Sequence, residues 1–339
     1  MRLITFPGQG TPISLPILKA LVRNKEKEFQ NIIDRNGPRT NDLLQHIYHH
    51  PSSPGSIAVC SNLLYQLYNR LSTERLNKIP TILLGHSLGE LTALSINSLF
   101  SINDLFKIAN YRNELMIKYT EKYLLAHKMN LSTKFEMWAI SSPNATNLAN
   151  QINNLLQSLK YVTPTISIAN VNSMKQCVVT GLIEDLEKLR IECQTSFPKL
   201  RITELTNPDN LAFHNNTVLG SIQEPLYDYI WDVLKLSGTN VITNLDYPII
   251  SNLDGNVSSV VHFAIEKFVK CSSHTVQFTK CYDTINFNYR IDQNVLCMGP
   301  GNVIFNLIRR NCNFNRCFEY SSLATIDEYH NYKSEIANL

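Results

Sequence analysis

The residues with the clearest chemical potential lie at 85–89, which read Gly-His-Ser-Leu-Gly. They follow an apolar run at 82–84 and precede a helix-like run at 90–94. A Gly-x-Ser-x-Gly stretch between a strand and a helix is the context of a nucleophile elbow, because its glycines allow the close backbone approach of a sharp turn. The turn presents a serine hydroxyl at a helix N-terminus, where amide N–H groups favour a developing negative charge. Ser87 is therefore the candidate nucleophile, and the alternative is a glycine-rich turn with an idle serine.

A serine nucleophile is weak until a base takes its proton, and the chain has nine histidines. His86 is a poor candidate because neighbouring side chains on an elbow point apart. The three histidines within 46–50 are typical of cations near a helix C-terminus. His214 lies where the chain returns from a segment that we expect to be an inserted domain. His214 is therefore a candidate for the base, and spacing alone leaves the other histidines open.

Composition indicates an ordinary globular protein. The chain has 339 residues, of which 44% are hydrophobic and 17% charged, enough for one large domain or two smaller ones. The net charge of +3 does not indicate a nucleic-acid partner, and no apolar run approaches the roughly 18 residues of a membrane span. The eight cysteines form no CxxC pair, so we expect reduced cysteines in a non-secreted protein and no metal site.

The distribution of predicted strands and helices indicates an α/β fold. Residues 1–133 alternate short strands with long helices, which argues for a parallel sheet with helices on its faces. The predicted elements of this part are strands 2–6 and 81–85 and helices near 13–35, 40–50, 56–72, 88–97 and 101–118.

Residues 134–207 follow a different order, β-α-β-β-α-β, which is the ferredoxin-like arrangement. From 208 to 339 the α/β pattern resumes, with strand 294–298 and helix 302–310 near its end. We therefore predict an α/β-hydrolase-like core, formed by residues 1–133 and 208–339, into which a small ferredoxin-like domain is inserted.

Several short motifs occur in a fixed order between about residue 2 and residue 310, which is nearly the whole chain. Together they resemble the malonyl-CoA:acyl carrier protein transacylases of fatty-acid synthesis and are similar to the acyltransferase domains of polyketide and multifunctional fatty-acid synthases. The motifs are Phe6-Pro7-Gly8-Gln9-Gly10, the elbow with Glu90, Tyr111-Arg112-x-x-x-Met116, Ile168-Ala169-Asn170-x-Asn172-Ser173, Ala212-Phe213-His214, Ser251-Asn252, Val276-Gln277-x-x-Lys280 and Gly299-Pro300-Gly301.

The resemblance implies a role for each matching residue. Ser87 attacks the malonyl thioester, and His214 serves first as general base and then as the acid that protonates the leaving thiol. The family has no triad carboxylate, so a backbone carbonyl, expected to be that of Gln277, orients the imidazole. The backbone N–H groups of Gln9 and Leu88 form the oxyanion hole, and the residue after an elbow serine is the usual donor.

Arg112 is the residue that the resemblance links to substrate choice. A buried carboxylate needs a charged, hydrogen-bonded partner, which a guanidinium provides with two parallel bonds. Without the resemblance, a surface arginine on helix 101–118 is the better interpretation. Asn172, Asn252 and Met116 are supporting residues on the same grounds. Malonyl and methylmalonyl groups differ by one methyl, worth only about 1–3 kcal/mol, so the sequence does not decide between them.

The implied activity is a ping-pong transfer of malonyl from malonyl-CoA to holo acyl carrier protein through a Ser87 ester, with no metal or cofactor. We expect a monomer in the mitochondrial matrix, although no import leader is visible, and the alternative is a cytoplasmic enzyme. Two other functions stay open: a serine esterase or thioesterase, and a silent module that binds carrier proteins. Trp138, where the family has small residues, is expected to narrow the acyl pocket or the pantetheine channel.

Overall fold

The computed structural model describes residues 1–72, 79–197, 199–288, 295–314 and 316–337. Their strands are β1 Arg2–Phe6, β2 Thr81–Gly85, β3 Phe135–Ser141, β4 Ser167–Ser173, β5 Gln176–Leu182, β6 Arg201–Leu205, β7 Asn244–Ile250, β8 Val257–Val260, β9 Val295–Met298 and β10 Cys317–Tyr320. Their helices are α1 Leu15–Asn24, α2 Glu26–Asn36, α3 Arg39–His49, α4 Pro54–Leu71, α5 Leu88–Ile96, α6 Ile102–Ala126, α7 Leu148–Ser158, α8 Ile183–Ser196, α9 Asn216–Leu219, α10 Gln223–Leu236, α11 Val261–Cys271, α12 Phe278–Asp283, α13 Val303–Asn311 and α14 Leu323–Ala337.

Six strands form the larger sheet in the order β10-β9-β1-β2-β7-β8, and its pairs are parallel except for β7 with β8. Every residue of β1 and β2 is buried, as expected of central parallel strands covered on both faces. Phe6 and Gly85 are opposite each other at the carboxyl ends of these strands. The loop after β1 and the elbow after β2 therefore meet at one edge of the sheet.

Residues of the β-α-β-β-α-β segment form a separate antiparallel sheet in the order β4-β5-β3-β6. Trp138 of β3 is 1% exposed and packs with Ile140 and Leu148 in a core that belongs to this sheet and its helices. The Arg190 guanidinium lies 4.4 Å from the centre of the Trp138 indole ring. The expectation that Trp138 narrows the acyl pocket is therefore wrong, because the pleat turns its ring toward α7 and α8.

The edge strand β4 of the smaller sheet bonds to the loop between α11 and α12. Val171 donates its N–H to the carbonyl of Val276 over 2.9 Å, and Val276 donates back to Ala169 over 2.8 Å. The Thr275 hydroxyl adds a bond of 2.6 Å to the carbonyl of Ile168. Strand β4 therefore lies against the segment that precedes α12.

Two helices differ from their predicted bounds. The predicted helix 13–35 is two helices, because the chain breaks at Lys25, which has φ −117° and ψ 37°. Helix α6 continues to Ala126, well beyond the predicted residue 118. Its N-terminus is capped by the Ser101 side chain, which accepts the N–H of Asp104. Residue 294, the predicted start of β9, lies outside the described residues.

A long apolar core fills the space between the larger sheet and its helices. Across the described ranges, no helix combines the length and the hydrophobicity that a membrane span requires. Within the same ranges, no group of three or more His, Cys, Asp or Glu side chains is arranged to hold a metal ion.

Candidate active site

The elbow between β2 and α5 is a turn that only glycine permits at two positions. Ser87 has φ 51° and ψ −107°, a left-handed conformation that costs a non-glycine residue about 1–3 kcal/mol. A Cβ on Gly85 would lie 1.9 Å from the carbonyl carbon of Gly89. A Cβ on Gly89 would lie 2.3 Å from the carbonyl oxygen of Phe6. These contacts fix the elbow against the end of β1.

His214 is the histidine that contacts the elbow serine. The Ser87 hydroxyl lies 2.9 Å from Nε2 of His214. Nδ1 of His214 lies 2.8 Å from the carbonyl oxygen of Cys271 and 2.9 Å from that of His274. Carbonyl oxygens only accept hydrogen bonds, so Nδ1 carries the proton and Nε2 of the neutral ring is free to accept the proton of Ser87.

The prediction that the Gln277 carbonyl orients His214 is therefore wrong. That oxygen accepts the N–H groups of Lys280 and Cys281 at the start of α12. The carbonyl of Cys271, the last residue of α11, and that of His274, three residues later, orient the imidazole in its place. The Gln277 N–H donates to the carbonyl of Asn252 over 2.7 Å, so Gln277 supports the site through its backbone.

Burial keeps both histidines beside the elbow neutral. Desolvation, and then the charge of Arg112, lowers the pKa of His214 to about 3. Desolvation likewise lowers the pKa of His86 to about 4. The ring of His86 lies beside Asn172 and packs edge-on against Phe278, with 4.9 Å between ring centres. The His86 ring therefore points away from the Ser87 hydroxyl, as expected for neighbouring side chains on an elbow.

Arg112 lies on the buried face of α6 and is 1% exposed. Its Nη2 donates to the Ser87 hydroxyl oxygen over 3.2 Å, and its Nε donates to the Ser272 hydroxyl over 3.0 Å. No carboxylate of the described residues forms an ion pair with Arg112. Burial lowers the pKa of Arg112 to about 10, so the guanidinium still carries its charge at neutral pH. The site thus contains a buried cation without an anion, a costly arrangement that a carboxylate ligand would relieve.

Two backbone donors lie near the nucleophile. Leu88 is the first residue of α5, whose opening N–H groups lack partners within the helix. The loop that carries Gln9 touches the elbow, since a Cβ on Gly8 would lie 2.7 Å from the carbonyl oxygen of His86. Neither Gln9 nor Leu88 donates its backbone N–H to an acceptor in the described part of the chain. The Gln9 side chain donates to Asn113 over 2.8 Å, which anchors the loop.

Comparison with known proteins identifies the family. The chain is 59% identical to the protein named mitochondrial malonyl CoA-acyl carrier protein transacylase of Saccharomyces cerevisiae, over 99% of both chains. It belongs to the malonyl-CoA–acyl carrier protein transacylase family. No family model matches the chain.

Solved structures of transacylases share the fold. The Helicobacter pylori malonyl-CoA:acyl carrier protein transacylase superposes with a TM-score of 0.77 at 20% identity, over 99% of both chains. A malonyl-transacylase solved in complex with a type II polyketide acyl-carrier protein gives a TM-score of 0.71 at 18% identity, over 96% of this chain and 97% of that one. At these identities the likeness concerns the mixed α/β fold with its parallel sheet.

The remaining predicted transacylase residues occupy different positions around the elbow. Asn252 is fully buried, and its side chain bonds to the N–H of Ser87 and to the carbonyl of Gly85. Met116 is fully buried one helical turn after Arg112, within the main core. The Asn172 side chain is 8% exposed, and its Oδ1 has no partner among the described residues.

Ser272 and the carbonyls of Cys271 and His274 escaped the sequence reasoning. A carbonyl is present in every residue, so no residue type marks the pair that orients His214. Ser272 stands in the pair Ser272-Ser273, and only the end of α11 decides which hydroxyl meets Arg112. Glu90, which follows the elbow, offered a signal as the one charged residue in the sequence of α5.

Proposed function

We propose that this protein transfers the malonyl group of malonyl-CoA to the phosphopantetheine thiol of acyl carrier protein. The main support is the buried guanidinium of Arg112, which lies 3.2 Å from the Ser87 hydroxyl and has no carboxylate partner among the described residues. A malonyl thioester has its reactive carbonyl and its free carboxylate on one short chain, so a single substrate can engage both residues. The name of the yeast relative supports the same activity.

The first half-reaction forms an ester on Ser87. As Oγ attacks the thioester carbonyl, His214 takes the hydroxyl proton on Nε2, which the bonds to Nδ1 leave unprotonated. The N–H groups of Gln9 and Leu88 bind the oxyanion, and one such donor is worth about 100-fold or more in rate. Collapse of the tetrahedral intermediate breaks the C–S bond, and His214 returns the proton to the departing CoA sulfur.

The second half-reaction is the same chemistry in reverse. The thiol of the carrier's phosphopantetheine loses its proton to His214 and attacks the ester carbonyl, and the Ser87 oxygen leaves and regains a proton. Arg112 holds the malonyl carboxylate through both steps, so the acyl group keeps one orientation. Such positioning converts an encounter into an intramolecular reaction.

We infer a core that resembles an α/β-hydrolase, with residues 1–133 and 208–339 in the larger unit. The strand order β4-β5-β3-β6 supports a ferredoxin-like arrangement for the inserted unit, 134–207. The protein is mitochondrial, as the name of its yeast relative indicates, and we place it in the matrix. The relative solved with a carrier protein supports acyl carrier protein as a partner. We expect the enzyme to act as a monomer.

Intact-mass analysis tests the transfer against its rivals. Incubation with malonyl-CoA should add one malonyl group to the wild-type protein and none to Ser87→Ala. Addition of holo acyl carrier protein should move that group to the carrier. Rapid conversion to free malonate without transfer would identify a hydrolase, and the absence of any adduct would indicate a silent binding module.

A further inference from the structure

Both polar atoms of the Asn252 side chain form hydrogen bonds to the backbone of the elbow. Its Oδ1 accepts the N–H of Ser87 over 2.6 Å, and its Nδ2 donates to the carbonyl of Gly85 over 2.7 Å. Its carbonyl accepts the N–H of Gln277 over 2.7 Å. The side chain therefore holds the backbone before the nucleophile and at the nucleophile itself.

Glu90 provides the remaining contact of Asn252. The Asn252 N–H donates to Oε2 of Glu90 over 3.2 Å, and the Glu90 N–H donates to the carbonyl of Ser87 over 2.9 Å. Glu90 is 2% exposed in the first turn of α5. A fully buried acid is rare unless it is paired, and the proposed transfer gives this one no task.

We propose that Glu90 is a positioning residue, which acts through Asn252 to hold Ser87 in its left-handed, attack-ready conformation. The geometry that carries this inference is the closed ring of hydrogen bonds through Ser87, Glu90 and Asn252. A strained backbone persists only where its surroundings over-determine it, and Ser87 has φ 51°. Without the ring, the elbow would relax and the hydroxyl would leave the line between His214 and Arg112.

The positioning role of Glu90 requires only a hydrogen-bond acceptor and not a negative charge. Burial raises the pKa of Glu90 to about 8, and the bonds from Asn252 and Ser251 act against that rise. Several charged or titratable groups interact electrostatically with Glu90. They lie on α6, α11, α12 and the loop after β7, and they are Arg112, Lys267, Cys271, Cys281 and Asp254. The carboxyl is largely protonated at neutral pH, so glutamine is a close substitute in charge, shape and acceptor.

Two kinds of reagent separate this proposal from the proposed function on which it rests. Malonyl-CoA reports acylation through Arg112 and Ser87 together. A fluorophosphonate ester modifies an activated serine by displacement of fluoride and carries no carboxylate for Arg112, so it reports the elbow alone. Single-turnover rates with both reagents are measured by intact mass, with Ser87→Ala as the unlabelled control.

Glu90→Ala should lower both labelling rates by about tenfold or more, with the KM for malonyl-CoA nearly unchanged, because misplacement of about 1 Å is enough for such a loss. Glu90→Gln should keep both rates within about twofold of the wild type. Thr92→Val is the matched control, since Thr92 is fully buried on the same helix and its hydroxyl has no partner among the described residues.

If Glu90→Ala does not fold, Glu90→Asp decides, because a side chain one methylene shorter withdraws the carboxyl from Asn252 while keeping the acid. A folded Glu90→Ala or Glu90→Asp that reacts with fluorophosphonate at the wild-type rate overturns the proposal. A wild-type protein that reacts with fluorophosphonate and not with malonyl-CoA overturns the proposed transfer and leaves the positioning role measurable.

Discussion

Nη2 of Arg112 lies 3.2 Å from Oγ of Ser87, so the nucleophile accepts a hydrogen bond from a buried cation while it donates to a neutral imidazole. Burial, and then the charge of this cation, lowers the pKa of the nearby His214, which keeps the base unprotonated. The same cation has no protein carboxylate to bind among the described residues. Arg112 thus helps to keep the base neutral and provides the binding site for an acidic substrate.

Loss of the Arg112 charge should therefore change the substrate. Arg112→Gln removes the partner of the malonyl carboxylate, and we expect acylation by malonyl-CoA to fall about 100-fold or more, equivalent to about 3 kcal/mol. Acylation by acetyl-CoA, which has no carboxylate, should fall far less. Single-turnover mass spectrometry with both thioesters measures the ratio. Equal losses with the two substrates would contradict a carboxylate-binding role.

Ser272 should tune the position of that guanidinium. Ser272→Ala removes the acceptor of Arg112 Nε, and we expect the KM for malonyl-CoA to rise about threefold to tenfold with a smaller change in kcat. Steady-state kinetics measure the split. Ser273→Ala is the matched control, because the Ser273 hydroxyl is equally buried and contacts the side chains of Gln223 and His274 rather than Arg112. An effect of the same size in both variants would indicate a general disturbance of α11.

Acid should destabilise the protein before it protonates the base. The unfolded chain binds a proton at His214 below about pH 6.5, whereas the folded chain does so only near pH 3. The unfolded state therefore holds more protons in this window, and the free energy of unfolding should fall as the pH falls, by at most about 1.4 kcal/mol per pH unit for this histidine. Denaturant unfolding of wild type and His214→Asn between pH 4.5 and about 7 measures the slope, which should be shallower in the variant. Identical slopes would argue against a buried neutral His214.

The elbow glycines should tolerate no side chain. Gly85→Ala places a Cβ 1.9 Å from backbone, so we expect a loss of about 3 kcal/mol or more of folding free energy, or no folded protein. Gly220→Ala is the matched control, because its Cβ meets only the tip of the Asn216 side chain at 3.1 Å. Thermal unfolding compares the two variants. A Gly85→Ala protein as stable as the control would show that the backbone of Gly89 does not approach Gly85 so closely.

Local interactions made the elbow readable in the sequence. Its glycines, its serine and the start of α5 lie within a few residues of one another, and the steric limits on such a turn hold in any fold. The order of strands and helices was likewise legible from local patterns, with errors where those patterns are weak. Lysine is common in helices, so the residue type of Lys25 did not predict the break between α1 and α2.

The sequence by itself thus determined a presented serine, the order of the elements and a family resemblance with its residue types. The tertiary structure decided which groups meet Ser87. His214 lies 127 positions away, and the carbonyls of Cys271 and His274 have no signature in residue type. The tertiary structure also places Trp138 in the core of the smaller sheet. It leaves Arg112 buried without a carboxylate partner among the described residues. These outcomes depend on contacts between distant segments, and only tertiary packing brings those segments together.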